Sequence, residues 1–269
     1  LDQAITSILS QDFGDFTLFI SDDGSSDDSV AICEEFAQRD QRICFTRQPR
    51  NLGAIGNLNL VAQAAQAEYF MWVGPDDYWD PDLLTVLLAL MADDPGLVVA
   101  TSGIERVDSA GQRLYVYNCE HPDTSRMSSP IQRVRAVFRH AAPATTESLI
   151  RVSALRNTGY YRFGIIPADM VLLGELSVQG GIKGVRELLF HKRDGGQNVL
   201  LTDSHFYQGR SLRRALGSID LLELSTMTQW QMKYEYIRMM CKHRAAGVRD
   251  KLKSMGSRTG RPSLSGRHP

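Results

Sequence analysis

The chain reads as an α/β protein, a mainly parallel sheet flanked by helices, with a helical extension at its C-terminal end. Three observations predict this class. Two short, almost continuous apolar runs, Phe16 to Ser21 (FTLFIS) and Tyr69 to Val73 (YFMWV), have the character of strands buried on both faces. Segments with apolar residues at helical spacing alternate with them, the pattern of a layered α/β architecture. Both runs end abruptly in acids, Asp22-Asp23-Gly24 and Gly74-Pro75-Asp76-Asp77. In open sheets of this kind the ligand crevice lies at the carboxyl ends of the strands.

The elements follow in order. Leu1, Ala4, Ile5, Ile8 and Leu9 fall at helical spacing and predict a first helix ending near Gln11. After the first strand, Ser26 is expected to cap a helix running to about Arg39, with Asp27 and Asp28 favourably placed in its first turn. A second strand is expected over Ile43 to Thr46, then a turn at Pro49 to Gly53 and a helix over Ile55 to Gln66. Pro81, whose missing N–H does no harm at a helix start, opens the next helix, and Leu97 to Thr101 is a further strand. The second half predicts a hairpin across Glu105 to Tyr117, turning at Asp108-Ser109-Ala110-Gly111. Helices are expected over Pro130 to His140, Pro167 to Gln179 and Leu212 to His243, and a strand over Val185 to Lys192. From Gly247 onward Ser, Gly, Arg and Pro dominate, a composition that forms no core and predicts a disordered basic tail.

Composition narrows the function. The 269 residues are 43% hydrophobic and 23% charged, a globular chain long enough for a substantial core. A net charge of −1 removes any global electrostatic case for nucleic-acid binding. Cys33, Cys44, Cys119 and Cys241 show no C-x-x-C spacing, which argues against a disulfide scaffold or zinc site and for a reducing, cytoplasmic setting. The longest mostly apolar stretch, Leu83 to Ala92, is about half of what a helix needs to cross a bilayer. Hydrolase chemistry lacks a G-x-S-x-G elbow or a metal-binding His pair.

The two acid pairs are the candidate chemistry. Asp22 and Asp23, followed by Gly-Ser-Ser, offer acceptors for a base or ribose and N–H donors at a helix start; the plainer alternative is a solvated loop with capping acids. Asp76 and Asp77 carry the hard oxygens that suit Mg²⁺ or Mn²⁺, and the alternative again is a capping loop before Pro81. Asn51, Gly53, Asn57 and Asn59 make a polar entry to a helix; loop chemistry explains the first two, while Asn59, a mediocre helix former one turn in, asks for another reason. His191, Lys192 and Arg193 follow a strand and either reach an anionic ligand or sit solvated at its end. The segment from Leu221 to Arg244 is amphipathic and basic-ended, suited to packing on its own domain or resting peripherally on the inner face of a membrane.

The stretches LDQAITSILSQDFGDFTLFISDDGSSDDS, RNLGAIGNLN and AEYFMWVGPDDYWDPDLL, in that order, resemble the nucleotide-sugar domain of glycosyltransferase family 2, and the DDGSSD and PDDYWDPD blocks together carry the resemblance. PADMVLLGELSVQGGIKGVRELLFHKRDGGQN looks like the acceptor-side segment of the same family. The resemblance implies a GT-A fold and an inverting, Mg²⁺- or Mn²⁺-dependent transfer from a nucleoside-diphosphate sugar, UDP or dTDP, to a hydroxyl of a glycan or lipid-linked acceptor. It divides the chain into a nucleotide-sugar-binding half over 1–104, an acceptor-binding half over 105–208, a helical region over 209–246 and the tail. It places Asp22 and Asp23 on the nucleoside, Asn51, Gly53 and Asn59 beside the nucleotide pocket, Asp76 with Asp77 on the metal, and Asp169 as general base. His191 and Arg193 are placed within reach of the diphosphate or acceptor.

Three departures qualify it. Gly74 stands where the first acid of the D-x-D motif is expected, and Ala168 where an acid often precedes the base. The family's first strand and its nucleotide-contacting turn are expected before Leu1. Gly74 and Ala168 keep open a non-catalytic nucleotide-sugar-binding protein, and a phosphoacceptor signalling module would have to ignore Asn51 to Asn59.

Overall fold

The computed structural model describes residues 1–118, 121, 123–141, 143–163 and 168–194, together with 229 and 233. The helix expected over 212–243 and the basic tail therefore lie outside the described residues, apart from Gln229 and Lys233, both helical.

Helix α1 (Asp2–Leu9) turns Ala4, Ile5 and Ile8 inward, as its apolar spacing dictates. Strand β1 (Leu18–Asp22), helix α2 (Ser29–Arg39) and strand β2 (Ile43–Arg47) form a β-α-β unit, paired in parallel from Leu18 opposite Ile43 to Asp22 opposite Arg47. Ser26 is not the cap of α2. The carboxylate of Asp22 takes the Gly24 and Ser25 amides, the chain turns at Gly24 (φ 92°), and the helix begins only after Asp28.

Helix α3 (Ala54–Gln63), the short strands β3 (Tyr69–Phe70) and β4 (Tyr78–Trp79), and helix α4 (Leu83–Asp93) follow. Strand β5 (Leu97–Val107) and strand β6 (Arg113–Asn118) make the expected hairpin, and Gly111 N–H closes its turn onto Asp108 O at 3.1 Å. Helix α5 (Pro130–His140), strand β7 (Leu149–Arg151), helix α6 (Val152–Arg156), helix α7 (Ala168–Gln179) and strand β8 (Gly181–Arg193) complete the described fold.

These strands form a six-stranded sheet in the order β3-β7-β5-β8-β4, with β6 also on β5. Strand β5 is buried at every position, the mark of a strand covered on both faces. Strand β8 runs parallel along its whole length, from Leu97 opposite Gly181 to Val107 opposite Arg193. Strands β7 and β6 pair antiparallel with the two halves of its other edge, so the division expected at 104/105 falls inside one continuous strand. Among the described residues, parallel pairing is thus confined to β1 with β2 and to β5 with β8. The two- and three-residue strands β3, β7 and β4 join antiparallel. Of the YFMWV run only Tyr69 and Phe70 pair; the chain then leaves the sheet and leads into the acids.

Two apolar layers sandwich the sheet. One packs α3, α5 and α7 through Val134, Val137, Leu172, Leu173 and Leu176; the other packs α1 and α4 through Ile5, Ile8, Leu83, Leu87 and Met91. Each such buried aliphatic side chain contributes about 1.5–3 kcal/mol from removal of its surface from water. Among the described residues no helix is long and apolar enough to cross a membrane.

Candidate functional site

The carboxyl end of β1 builds the first part of the site. Asp22 is buried, and burial alone would push its carboxyl up; the Ser25 and Gly24 amides and Arg47, 3.6 Å away, outweigh this and hold it below the ordinary value. Asp23 turns the other way, and its Oδ1 accepts the Leu52 N–H at 2.6 Å. Asn51 Oδ1 accepts the Gly53 N–H at 2.8 Å, and Gly53 adopts φ 73°, a conformation that favours glycine. Asp22, Asp23, Asn51 and Gly53 therefore converge on one pair of loops. Helix α3 opens from Gly53 without a side-chain cap, leaving first-turn amides available to an anion.

Asn59 does not join them. Its Nδ2 donates to Tyr161 O at 2.8 Å and its Oδ1 accepts the Tyr161 N–H at 2.9 Å, so the whole amide is committed to another backbone segment. It is Asn57 that faces β1, donating to Ser21 O at 2.8 Å and accepting from Ser21 Oγ at 2.6 Å.

The second part is the Gly74 to Asp77 loop, where the two acids separate. Asp76 is exposed and its carboxylate makes no hydrogen bond among the described residues. Asp77, only 5% exposed, accepts from Lys192 Nζ at 2.9 Å through Oδ2 and from the Arg193 N–H at 2.9 Å through Oδ1. Asp77, expected on the metal, is here an internal ion-pair partner. Its position also explains Gly74, since a Cβ there would lie 2.9 Å from Asp77 Oδ2.

The end of β8 supplies the third part. His191 sits between Glu105 Oε1 at 2.8 Å and Asp80 Oδ1 at 2.9 Å and stacks on Tyr78. Arg193 donates to Asp76 O at 3.0 Å, to Asp108 O at 3.1 Å, to Ser109 O at 2.7 Å and to Gln3 Oε1. Both side chains, expected within reach of a diphosphate or acceptor, are thus engaged by the protein itself.

Lys192 is buried between Asp77 and a residue that sequence reasoning missed, Glu147, whose oxygens accept from Nζ at 2.9 and 2.8 Å. Burial would lower the Lys192 pKa, but Glu147 and Asp77 overcome it and hold the ammonium charged. Glu147 is pushed up by burial, with Lys192 opposing and Asp77 and Asp169 adding to the rise, because two acids share one cation. Nothing in Thr145-Thr146-Glu147-Ser148 marks that acid in the sequence; only the tertiary approach of Lys192 does.

Asp169 opens α7. It is half-buried, its Oδ1 accepts the Met170 N–H at 2.8 Å, and burial raises its pKa to about 6 against the lowering effect of that amide, its own amide and Lys192. A carboxyl so tuned takes up a proton near neutral pH.

Asp76 offers one uncommitted hard carboxylate at the surface, and Mg²⁺ or Mn²⁺ commonly takes one or two protein carboxylates and completes its shell with water and substrate phosphates. Among the described residues no three His, Cys, Asp or Glu side chains gather to hold a metal, so a cation here would rest on Asp76 and its own substrate and water ligands.

The sequence profile described as "Glycosyl transferase family 2" matches residues 1–159. The chain belongs to glycosyl transferase family 2. Its curated relatives include a putative glycosyltransferase, EpsH, of Bacillus subtilis, 30% identical over 106 residues that cover 39% of this chain and 30% of the relative. Another is GalNAc(5)-diNAcBac-PP-undecaprenol beta-1,3-glucosyltransferase of Campylobacter jejuni, 37% identical over 78 residues, covering 29% of this chain and 25% of the relative. The matched stretch spans about a third of the length of such relatives. The fold of this family 2 member is also that of S. aureus TarS 1-349, with a TM-score of 0.67 at 17% identity over 88% of this chain and 66% of that one.

Proposed function

We propose that this family 2 protein transfers a sugar from a nucleoside-diphosphate sugar to a hydroxyl of a glycan or lipid-linked acceptor. The observation that carries the reading is Asp169, a half-buried carboxyl at a helix start with a pKa raised to about 6. An acceptor hydroxyl is a poor nucleophile, and such a carboxylate accepts its proton as the new bond to the anomeric carbon forms. A single displacement with the base opposite the leaving group inverts the anomeric centre.

The remaining residues divide the work. Asp22 shapes the turn at Gly24 and Ser25, while Asp23 and Asn51 set the loop before α3; these three and Gly53 line the nucleoside side. Asp76 holds Mg²⁺ or Mn²⁺. The cation, when bound, neutralises charge on the diphosphate as it departs. A mannosyltransferase from Pyrobaculum calidifontis solved in complex with GDP-Man and Mn²⁺ shares the fold at TM-score 0.54 and supports the choice of ligand class. The nucleotide is UDP or dTDP, the setting is cytoplasmic, and peripheral contact with the membrane brings a lipid-linked acceptor to the site.

Calorimetric titration with UDP, dTDP and GDP, with and without Mn²⁺, tests the reading. Manganese-dependent binding that is lost in Asp76→Asn supports it, and binding without sugar transfer to any acceptor favours a binding protein instead. Asp169→Asn is expected to keep donor binding and lose transfer; normal transfer by that variant removes Asp169 from the mechanism.

A further inference from the structure

We propose that Phe163 is an aromatic platform for the pyranose ring of the acceptor, an inference that rests on the glycosyltransferase reading above. A single exposed apolar residue is ordinary on a protein surface. Phe163, however, is 66% exposed at the end of a segment whose other side chains are all spent on holding it in place.

Three sets of contacts fix that segment. The Asn59 amide grips the Tyr161 backbone from α3 with both of its polar groups. The Tyr161 hydroxyl donates to Thr146 Oγ1 at 2.8 Å, and its ring packs edge-on against Trp72. Arg162 lays its guanidinium on buried Glu175 of α7, at 2.9 and 2.8 Å from Oε1, while Glu175 Oε2 accepts the Gly159 N–H at 2.8 Å. Tyr160 adopts φ 52°, a left-handed conformation that a bulky residue holds only where its surroundings over-determine it. Strain of this kind concentrates at ligand-binding sites.

The platform is tied to the elements that carry both halves of the proposed chemistry. On one side the Phe163 ring lies against the first turn of α3, with Cζ 3.7 Å from where a Cβ on Gly56 would sit; this is the helix whose entry Asp23 holds. On the other, Arg162 beside it is fastened to Glu175 of α7, the helix that Asp169 opens. A pyranose presents a face of C–H bonds that stacks on an aromatic ring, while its hydroxyls stay free for a base. Binding pockets commonly combine such an apolar wall with a few placed polar groups. Asn59 then acts as a positioning residue for Phe163 rather than as a nucleotide contact.

Saturation-transfer NMR on the whole chain tests this, with methyl pyranosides of gluco, galacto, manno and N-acetylglucosamine configuration in the presence of UDP and Mg²⁺. The expected result is saturation of the ring C–H protons of at least one pyranoside, with affinity falling about tenfold in Phe163→Ala and kept in Phe163→Trp. UDP affinity should be equal in all three proteins. Pyranoside binding indifferent to Phe163→Ala, or no pyranoside contact in a protein that binds UDP, overturns the platform alone. If Phe163→Ala weakens UDP-glucose but not UDP, the ring carries the donor sugar and the acceptor assignment falls. A wild-type chain that binds no nucleotide overturns the reading underneath.

Discussion

Lys192 Nζ lies 2.9 Å from Asp77 Oδ2 and within 2.9 Å of both Glu147 oxygens, so one buried ammonium joins β8, the acidic loop and the segment before β7. This pair decides which acid of the loop remains free. With Asp77 turned inward, Asp76 alone faces solvent.

Removing the cation leaves buried Asp77 and partly buried Glu147 without their countercharge. Lys192→Met is expected to destabilise the fold by about 3–5 kcal/mol, the usual result of breaking a buried pair from one side. Lys192→Arg should recover part of the loss. Urea denaturation of the three proteins checks the order.

Gly74→Asp would restore the acid that a D-x-D motif expects, yet it should not strengthen cation binding. The new Cβ would sit 2.9 Å from Asp77 Oδ2, which Lys192 holds in place. A loss of about 1–3 kcal/mol in stability, typical of overpacking, is expected with no gain in Mn²⁺ affinity by calorimetry. Tighter Mn²⁺ binding would show that the loop rearranges freely.

The raised pKa of Asp169 predicts an acid limb. Transfer needs the carboxylate form, so its rate should be level above pH 7 and fall about tenfold per pH unit well below 6. A limb that persists unchanged in an Asp169→Glu variant of equal fold would assign it to another group.

Stability should move in the opposite sense. Because the folded pKa is raised above the unfolded one, the favourable contribution of the protonated group is complete below about pH 4 and is lost as pH rises through about 6. Asp169→Asn removes the buried charge while keeping an acceptor for the Met170 N–H. It should therefore stabilise the protein at pH 8 by on the order of 1–3 kcal/mol and much less at pH 4. Thermal melts at the two pH values test the sign.

Asn59→Ala should cost about 1–3 kcal/mol, the penalty for leaving polar backbone groups of Tyr161 unpaired. Nucleotide affinity should stay within a factor of two or three. A large loss of nucleotide binding with unchanged stability would restore Asn59 to the nucleotide pocket.

Periodicity located what is governed locally. The 130–140 helix, the first β-α-β unit and the hairpin turn at Gly111 all sit where apolar spacing and turn chemistry place them. That Asp22, Asp23, Asn51 and Gly53 belong together was implied only by the family resemblance, since loop chemistry alone gave each a separate reason. Side-chain direction was not legible. His191, Lys192 and Arg193 look alike as a basic trio, yet each meets a different partner, set by residues some 45 to 190 positions away. Asp76 and Asp77 are indistinguishable until Lys192 arrives, and Glu147 carries no local signature at all.

The many carbonyls held by Arg193 have a consequence for how tightly a ligand can be gripped. One guanidinium fastens the acidic loop at Asp76 O to the hairpin turn at Asp108 and Ser109 and to Gln3 of the first helix. A loop so tethered has surrendered its conformational freedom during folding, before any ligand arrives. Binding then loses little entropy at Asp76, and a change as remote as Gln3→Ala would surface as a slower, looser capture of the cation rather than as an altered fold.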